Sequence, residues 1–431
     1  MRRHLLSLSL LLTPALALAA PKNIIYMIGD GMGPAYLAGY RYFSDNPQTP
    51  VVENTVFDEL WLGMASTYPD DDTYVTDSAA GATALATGFK SYNGAISVNR
   101  QHMPLATMMQ LAKKLGKANG IVASSQINHA TPASFLAHNK SRRNYNEIAD
   151  MYVDYRIDGK PVADVMLGGG TDYFIRDDRN LVNEFKLLDY QYADSWQSLD
   201  SLHRMPALAL LDKVGLPAAL GAAQPSQLAT LTDKALQLLT PADKGFVLMV
   251  EGSQIDWCGH DNDIACAMAE MDDFAKAIKV AKAYVDAHPD TLLVITADHE
   301  TGGLSLGAAG EYQWLPDVIR NVKATGRNIA VQLKQAGAEK ALDKWFELTS
   351  IKLTDDEQQQ LLSSLNLDEK TIRTLSNKLV AKYSYTGWTS GGHSAADVAV
   401  LAYGKDAKDF AGFQDNTQIA KKLIQFIQST K

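Results

Sequence analysis

With 431 residues, a hydrophobic content of 46% and a formal net charge of −9, the chain has ample apolar material for a large core. Its acidity argues against nucleic acid as a tight, charge-driven partner, while a small anion remains compatible with a locally cationic site. Only two cysteines occur, Cys258 and Cys266, so a cysteine-rich metal site is excluded and any zinc must be held by oxygen and nitrogen.

The chain opens on Met1-Arg2-Arg3-His4, a basic segment. An apolar run over residues 5–18 follows, with the small-residue pattern Ala17-Leu18-Ala19. This is the layout of a secretory signal over residues 1–19, with cleavage expected after Ala19. Loss of Arg2 and Arg3 takes the formal charge from −9 to about −11. No later apolar stretch approaches a bilayer span, so the mature chain is expected in the periplasm or secreted, with no membrane attachment after cleavage.

Residues 23–29 read as an apolar strand that ends in Asp30-Gly31-Met32-Gly33. Asp77-Ser78-Ala79-Ala80-Gly81 opens a helix of small residues and places the Ser78 hydroxyl at the positive end of a helix dipole. A helix is expected over 105–115 and a strand over 120–124. His129-Ala130-Thr131-Pro132 then starts another helix, and Lys140-Ser141-Arg142-Arg143 offers a guanidinium whose planar fork suits two phosphate oxygens. A strand over 163–167 and a helix over 227–239 lead to the apolar strand 246–250, which runs into Glu251-Gly252. Asp256 and His260, four residues apart, share one helical face. An exported chain can pair Cys258 with Cys266. Within a regular helix their Cα atoms would stand too far apart, so two thiols flanking a metal ligand is the favoured reading. Residues 263–287 carry Ile264, Met268, Met271, Ala275, Ile278 and Val285 at helical spacing. The run 291–296 is a buried strand that delivers Asp298-His299-Glu300. The stretch 307–385 is polar, helical and rich in Lys, Glu and Gln, and reads as an insertion serving as a cap or interface element. Gly391-Gly392-His393-Ser394 precedes a last strand over 397–402.

Alternation of strands and helices predicts an α/β fold with a mainly parallel central sheet covered on both faces. We expect one catalytic domain over 20–431, with the helical insertion near its C-terminal third. In such sheets ligands gather beyond the carboxyl ends of the strands, where Asp30, Glu251 and Asp298 all fall. Each residue alone has an ordinary explanation: Asp30 as a helix cap, Asp256 and His260 as a surface pair, His299 as a hydrogen-bonded interior histidine. Together they would need costly desolvation unless a divalent cation compensates them.

The segments Asp30-Gly31-Met32-Gly33, Asp77-Ser78-Ala79, Ala130-Thr131-Pro132, Ser141-Arg142, Glu251-Gly252-Ser253-Gln254-Ile255-Asp256, Thr296-Ala297-Asp298-His299 and Gly392-His393-Ser394 jointly resemble the alkaline phosphatase family. They span nearly the whole mature chain in the expected order. The resemblance implies hydrolysis of small phosphate monoesters through a phosphoserine intermediate, at a site with two zinc ions and one magnesium ion. By position, Asp256, His260 and His393 look like the first zinc group. Asp30, Asp298 and His299 look like the second, which Ser78 would reach as nucleophile. Asp30, Thr131 and Glu251 would hold magnesium, with Arg142 gripping the phosphate and Asp77 orienting it. Many bacterial members carry Asp where this chain has His129, and Lys where it has Trp257. An imidazole at the third site suits a softer metal than magnesium. Trp257 removes a positive charge near bound phosphate, which implies weaker product binding. Members are often dimers, so a homodimer is open to this chain.

Rival readings fit less well. Ser78 lacks the Cys/Ser-x-Pro-x-Arg setting of sulfatases, and Thr131 with Glu251 favours a monoesterase over a diesterase of the same superfamily. A non-catalytic periplasmic metal- or phosphate-binding protein would have no use for Ser78 beside an arginine.

Overall fold

Apolar runs with no polar alternation can be buried only if both sides of the strand are covered, and three such runs make the middle of the sheet. The computed structural model describes residues 20–429; the expected signal, residues 1–19, lies outside the described residues. Ten strands form the main sheet: β1 Asn23–Gly29, β2 Trp61–Ser66, β3 Ala118–Gln126, β4 Val165–Gly169, β5 Gln191–Ala193, β6 Ala207–Leu210, β7 Phe246–Gly252, β8 Thr291–Thr296, β9 Val398–Gly404 and β10 Gly412–Asp415. Their order is β10-β2-β9-β8-β1-β7-β3-β4-β6-β5. Every pairing is parallel except those of β9, which runs antiparallel to both β8 and β2. In β1, β3, β7 and β8 every residue is buried.

Helices cover both faces. On one, α1 Ser78–Thr87 packs with α2 Ala130–Leu136 and with the C-terminal helix Asn416–Ser429. On the other, α3 Gln227–Leu239 packs with the long α5 Ile264–Ala287, which follows the short α4 Gln254–His260. The fold is therefore α/β with a largely parallel sheet, as the alternating pattern predicts.

Four strands escape the sequence reading: β2, β5, β6 and β10. They are short, and the half-buried β2, one strand in from the edge, carries Gly63. A side chain there would collide with the backbone of Gly412, its Cβ falling 2.0 Å from the Gly412 carbonyl oxygen. The helix expected over 105–115 starts only at Met108, because Thr107 caps it reciprocally with Gln110.

The polar stretch between Leu306 and Thr386 leaves and returns at one place, since these two residues face each other in a two-stranded antiparallel ribbon. Between them stand the helices Pro316–Arg320, Gly326–Ala336, Ala341–Thr349, Asp355–Ser364 and Glu369–Ser384. Leu333, Trp345, Leu361 and Ile372 give them an apolar interior.

The reading of Cys258 and Cys266 as free thiols is overturned: they form a disulfide, with Cα atoms 5.5 Å apart. The premise of one regular helix fails because the chain breaks between α4 and α5. Asp263 caps α5 by accepting from the Cys266 N–H, and the turn over 261–263 folds the two cysteines together.

Candidate functional site

The three central strands β8, β1 and β7 lie side by side, with Ile28 opposite both Thr296 and Glu251. Residues just past their ends therefore meet. Asp30 follows β1, Glu251 closes β7, and Asp298 and His299 follow β8. The Asp30 N–H donates to the Gly252 carbonyl at 3.2 Å, which fastens the first turn to the end of β7. Asp298 accepts from the backbone N–H of Gly31 at 3.2 Å and of His299 at 3.0 Å, locking its carboxylate beside that turn.

Ser78 is the first residue of α1. Asp77, its N-cap, accepts from the N–H of Ala80 at 2.9 Å and of Gly94 at 3.0 Å. The Ser78 hydroxyl stands 3.3 Å from Asp30 Oδ1 and 3.1 Å from His299 Nε2. Small residues make this approach possible: a Cβ on Gly81, one turn further on, would sit 2.9 Å from the Asp298 carbonyl oxygen. Arg142 donates from Nη1 to Asp77 Oδ2 at 3.0 Å, and its Nη2 lies 3.2 Å from His129 Nε2. His129 caps α2, which carries Thr131 in its first turn.

Helix α4 presents Asp256 and His260 on one face. His393 is brought over by a short bridge in which His393 pairs with Thr301 and Ser394 with Glu300. Asp256 Oδ1 lies 3.4 Å from His260 Nε2 and 3.5 Å from His393 Nε2, and the two Nε2 atoms are 3.1 Å apart. The His299 and His393 rings stack at 3.7 Å. Three donor groups result, each with ligand atoms within 4.8 Å of one another: Asp256–His260–His393, Asp30–Asp256–His299, and Asp30–His129–Glu251. Trp257 joins none of them. Its ring meets His129 edge-on, with centroids 5.9 Å apart.

The imidazoles point the same way. His260 Nδ1 is 2.7 Å from the Gly391 carbonyl and His393 Nδ1 is 2.8 Å from the Thr76 carbonyl. A carbonyl only accepts, so both Nδ1 atoms carry protons and both Nε2 atoms turn inward.

These groups suit a cation. Asp30, Asp298 and His299 have no exposure, and Glu251 and Asp256 are buried too. Yet Asp30 Oδ2, Asp298 Oδ2, Glu251 Oε1, Thr131 Oγ1 and His129 Nδ1 are buried without a hydrogen-bond partner. Most buried polar atoms find a partner, and these five belong to the donor groups or to their neighbours along the chain. Burial, then the neighbouring charges of Asp298, Asp256 and Glu251, drives the Asp30 carboxyl well above the usual carboxylate range. Burial, then Asp256 and Glu251, pushes Asp298 up to about 7. Burial opposes ionisation of Asp256, but the His393 hydrogen bond and the three imidazoles hold it below the carboxylate range. Burial, then Arg142, brings His129 down to about 3, so it is a neutral base at any physiological pH. Asp30 and Asp298, which would otherwise take up protons, beside the neutral His129 and His299, are groups on which a divalent metal can replace protons. Two imidazoles with a carboxylate match zinc, and the oxygen-rich third group is the one most like a magnesium site.

Two features escaped the sequence reading. Ser253 and Ser125 donate to Glu251 Oε2 at 2.5 and 3.2 Å and aim its other oxygen. Thr301, fully buried, donates to Asp256 Oδ1 at 2.5 Å. Its position two residues past His299 was the only available signal.

A family model described as alkaline phosphatase matches residues 21–429. Alkaline phosphatase 3 of Bacillus subtilis is 45% identical over 412 residues, covering 94% of this chain and 89% of that protein. The crystal structure of a cold-active alkaline phosphatase from a psychrophilic Shewanella species has a TM-score of 0.90 and 48% identity, covering 94% of this chain and 99% of the other. A TAB5 alkaline phosphatase variant, with a histidine changed to glutamate and Mg bound in its M3 site, matches with a TM-score of 0.71 and 27% identity over 95% of this chain and 99% of the other.

Proposed function

The chain belongs to the alkaline phosphatase family, a family of metal-dependent hydrolases of small phosphate monoesters, and from that premise we propose which of its residues perform the reaction. Ser78 is the nucleophile. Its oxygen bonds to phosphorus as the ester P–O bond breaks and the alcohol departs, and water then displaces phosphate from Ser78 and restores the hydroxyl. Arg142 holds two non-bridging phosphate oxygens through its guanidinium fork, pre-oriented by the ion pair with Asp77. The dipole of α1 favours negative charge at Ser78.

Asp256, His260 and His393 would hold one zinc ion, and Asp30, Asp298 and His299 a second. Asp30, Glu251 and Thr131, with His129 alongside, would hold a third ion, magnesium being the expected one. When bound, such ions stabilise the entering and leaving oxygens of an in-line displacement. The signal pattern supports export to the periplasm or beyond. Among the described residues no helix is long and apolar enough to cross a membrane.

One observation carries this reading: oxygens of Asp30, Asp298, Glu251 and Thr131, all assigned to the proposed ion sites, are buried without a partner, and the hydroxyl of Ser78 stands 3.3 Å from Asp30 Oδ1. The test is Ser78→Ala. Turnover of an aryl phosphate should fall by at least about 10³-fold, while zinc content stays at the parent level. Retained turnover would exclude Ser78 as nucleophile, and lost zinc would make it a structural residue.

A further inference from the structure

The two candidate zinc groups are linked by one hydroxyl. Thr301 Oγ1 donates to Asp256 Oδ1 and lies 3.3 Å from His299 Nδ1. Asp256 belongs to the first group, with ligand atoms also within 4.8 Å of those of Asp30 and His299, whereas His299 belongs to the group at Ser78. The proton positions follow from the partners. A carboxylate only accepts, so the Thr301 O–H points at Asp256. Its oxygen then has lone pairs left for His299, so Nδ1 of His299 carries the proton and Nε2 keeps its lone pair. That lone pair faces Ser78 Oγ at 3.1 Å and Asp30 Oδ1 at 3.3 Å.

His299 differs from the other two imidazoles in this respect. His260 and His393 are each oriented by a backbone carbonyl, which no substitution removes. His299 depends on a side chain. Thr301 is itself held from three directions. Its N–H donates to the Gly31 carbonyl at 3.1 Å, its carbonyl accepts from the Tyr36 hydroxyl at 2.6 Å, and its side chain packs so closely on α4 that a Cβ on Gly259 would lie 2.9 Å from Thr301 Cγ2. The hydroxyl has little freedom to move.

We propose that Thr301 is a positioning residue that couples the two zinc groups, steering Asp256 with its proton and fixing the tautomer of His299 with its oxygen. This rests on the zinc reading of the preceding subsection. Outer hydrogen-bond partners of metal ligands set ligand orientation and basicity, and their loss costs about 10- to 100-fold in metal affinity.

The experiment uses the zinc-loaded full chain titrated with a competing chelator, for the parent, Thr301→Val and Thr301→Ser. Valine keeps the shape and removes the hydroxyl; serine keeps the hydroxyl and removes a methyl group. Thr301→Val should release zinc at a chelator concentration lower by about 10- to 100-fold, with the second ion released ahead of the first. Thr301→Ser should stay within about threefold of the parent. Thermal unfolding with zinc in excess separates packing from positioning: a packing role predicts the larger loss for serine, the hydroxyl role the larger loss for valine. Zinc retention in Thr301→Val equal to the parent, or in Thr301→Ser as poor as in Thr301→Val, overturns the proposal. A parent that neither binds zinc nor hydrolyses an aryl phosphate overturns the proposed function, and the coupling falls with it.

Discussion

His129 faces both Arg142, through Nε2 at 3.2 Å, and the acidic pair Asp30–Glu251. An imidazole offers one neutral nitrogen, where a carboxylate would offer two charged oxygens suited to a hard cation. His129→Asp should therefore raise the magnesium content of the purified protein relative to zinc, as measured by elemental analysis; an unchanged ratio would mean that His129 does not choose the third ion. Trp257 sits edge-on to the same ring. Trp257→Lys adds a cation close to the Arg142 region and should strengthen inhibition by inorganic phosphate by about 3- to 10-fold, the scale of one extra charge in a partly screened site. Inhibition constants for parent and variant decide it. At this scale the sequence was informative wherever an acid or histidine interrupted an apolar run, as at Asp30 and Asp298. It was silent on Thr301, since a threonine beside a short strand is ordinary and only coordinates reveal that its hydroxyl lies between two ligands.

The element that carries most of the unusual chemistry outside the site is α5. Glu270 is buried there and accepts from the Ala219 N–H at 2.7 Å. Burial, then the backbone hydrogen bond in the opposite sense and the charge of Asp273, leaves its carboxyl raised to about 8. The folded state thus holds a proton that the unfolded chain releases near pH 4.5. Its stabilising contribution is complete below that pH and is lost as pH rises towards about 8, a change on the order of 3–5 kcal/mol. Glu270→Gln keeps an acceptor for Ala219 and removes the titration. Urea midpoints between pH 5 and 9 should fall more steeply for the parent than for the variant; parallel curves would mean that Glu270 ionises freely in the fold. The long periodic helices were readable, and α3 matches its expected span end to end. The start of α5 was readable too, since the expected helix begins at 263, but not the turn before it, which no spacing of apolar residues describes. That turn hid the disulfide.

Across the whole molecule, alternation of strands and helices made the sheet legible, while its edge strands β5 and β10, of three and four residues, carry too little pattern to be seen. The buried acids also tie stability to the proposed cations. Ions that bind only the folded chain stabilise it by mass action, and here they would also relieve repulsion among Asp30, Glu251, Asp256 and Asp298. Chelation should abolish hydrolysis and lower the unfolding temperature by roughly 5–15 °C, both restored by zinc and magnesium in a calorimetric and activity assay. Loss of activity without a thermal shift would place the ions outside the buried cluster.

The short bridge between Glu300–Thr301 and His393–Ser394 has a consequence for how the molecule is made. His260 and His393 lie far apart along the chain, so the group they share with Asp256 closes only once this bridge has carried His393 back to α4. Capture of the first ion thus has to wait for tertiary structure, since no short piece of chain can hold it. If the proposed export precedes folding, that ion would be drawn from the destination compartment and not from the cytoplasm.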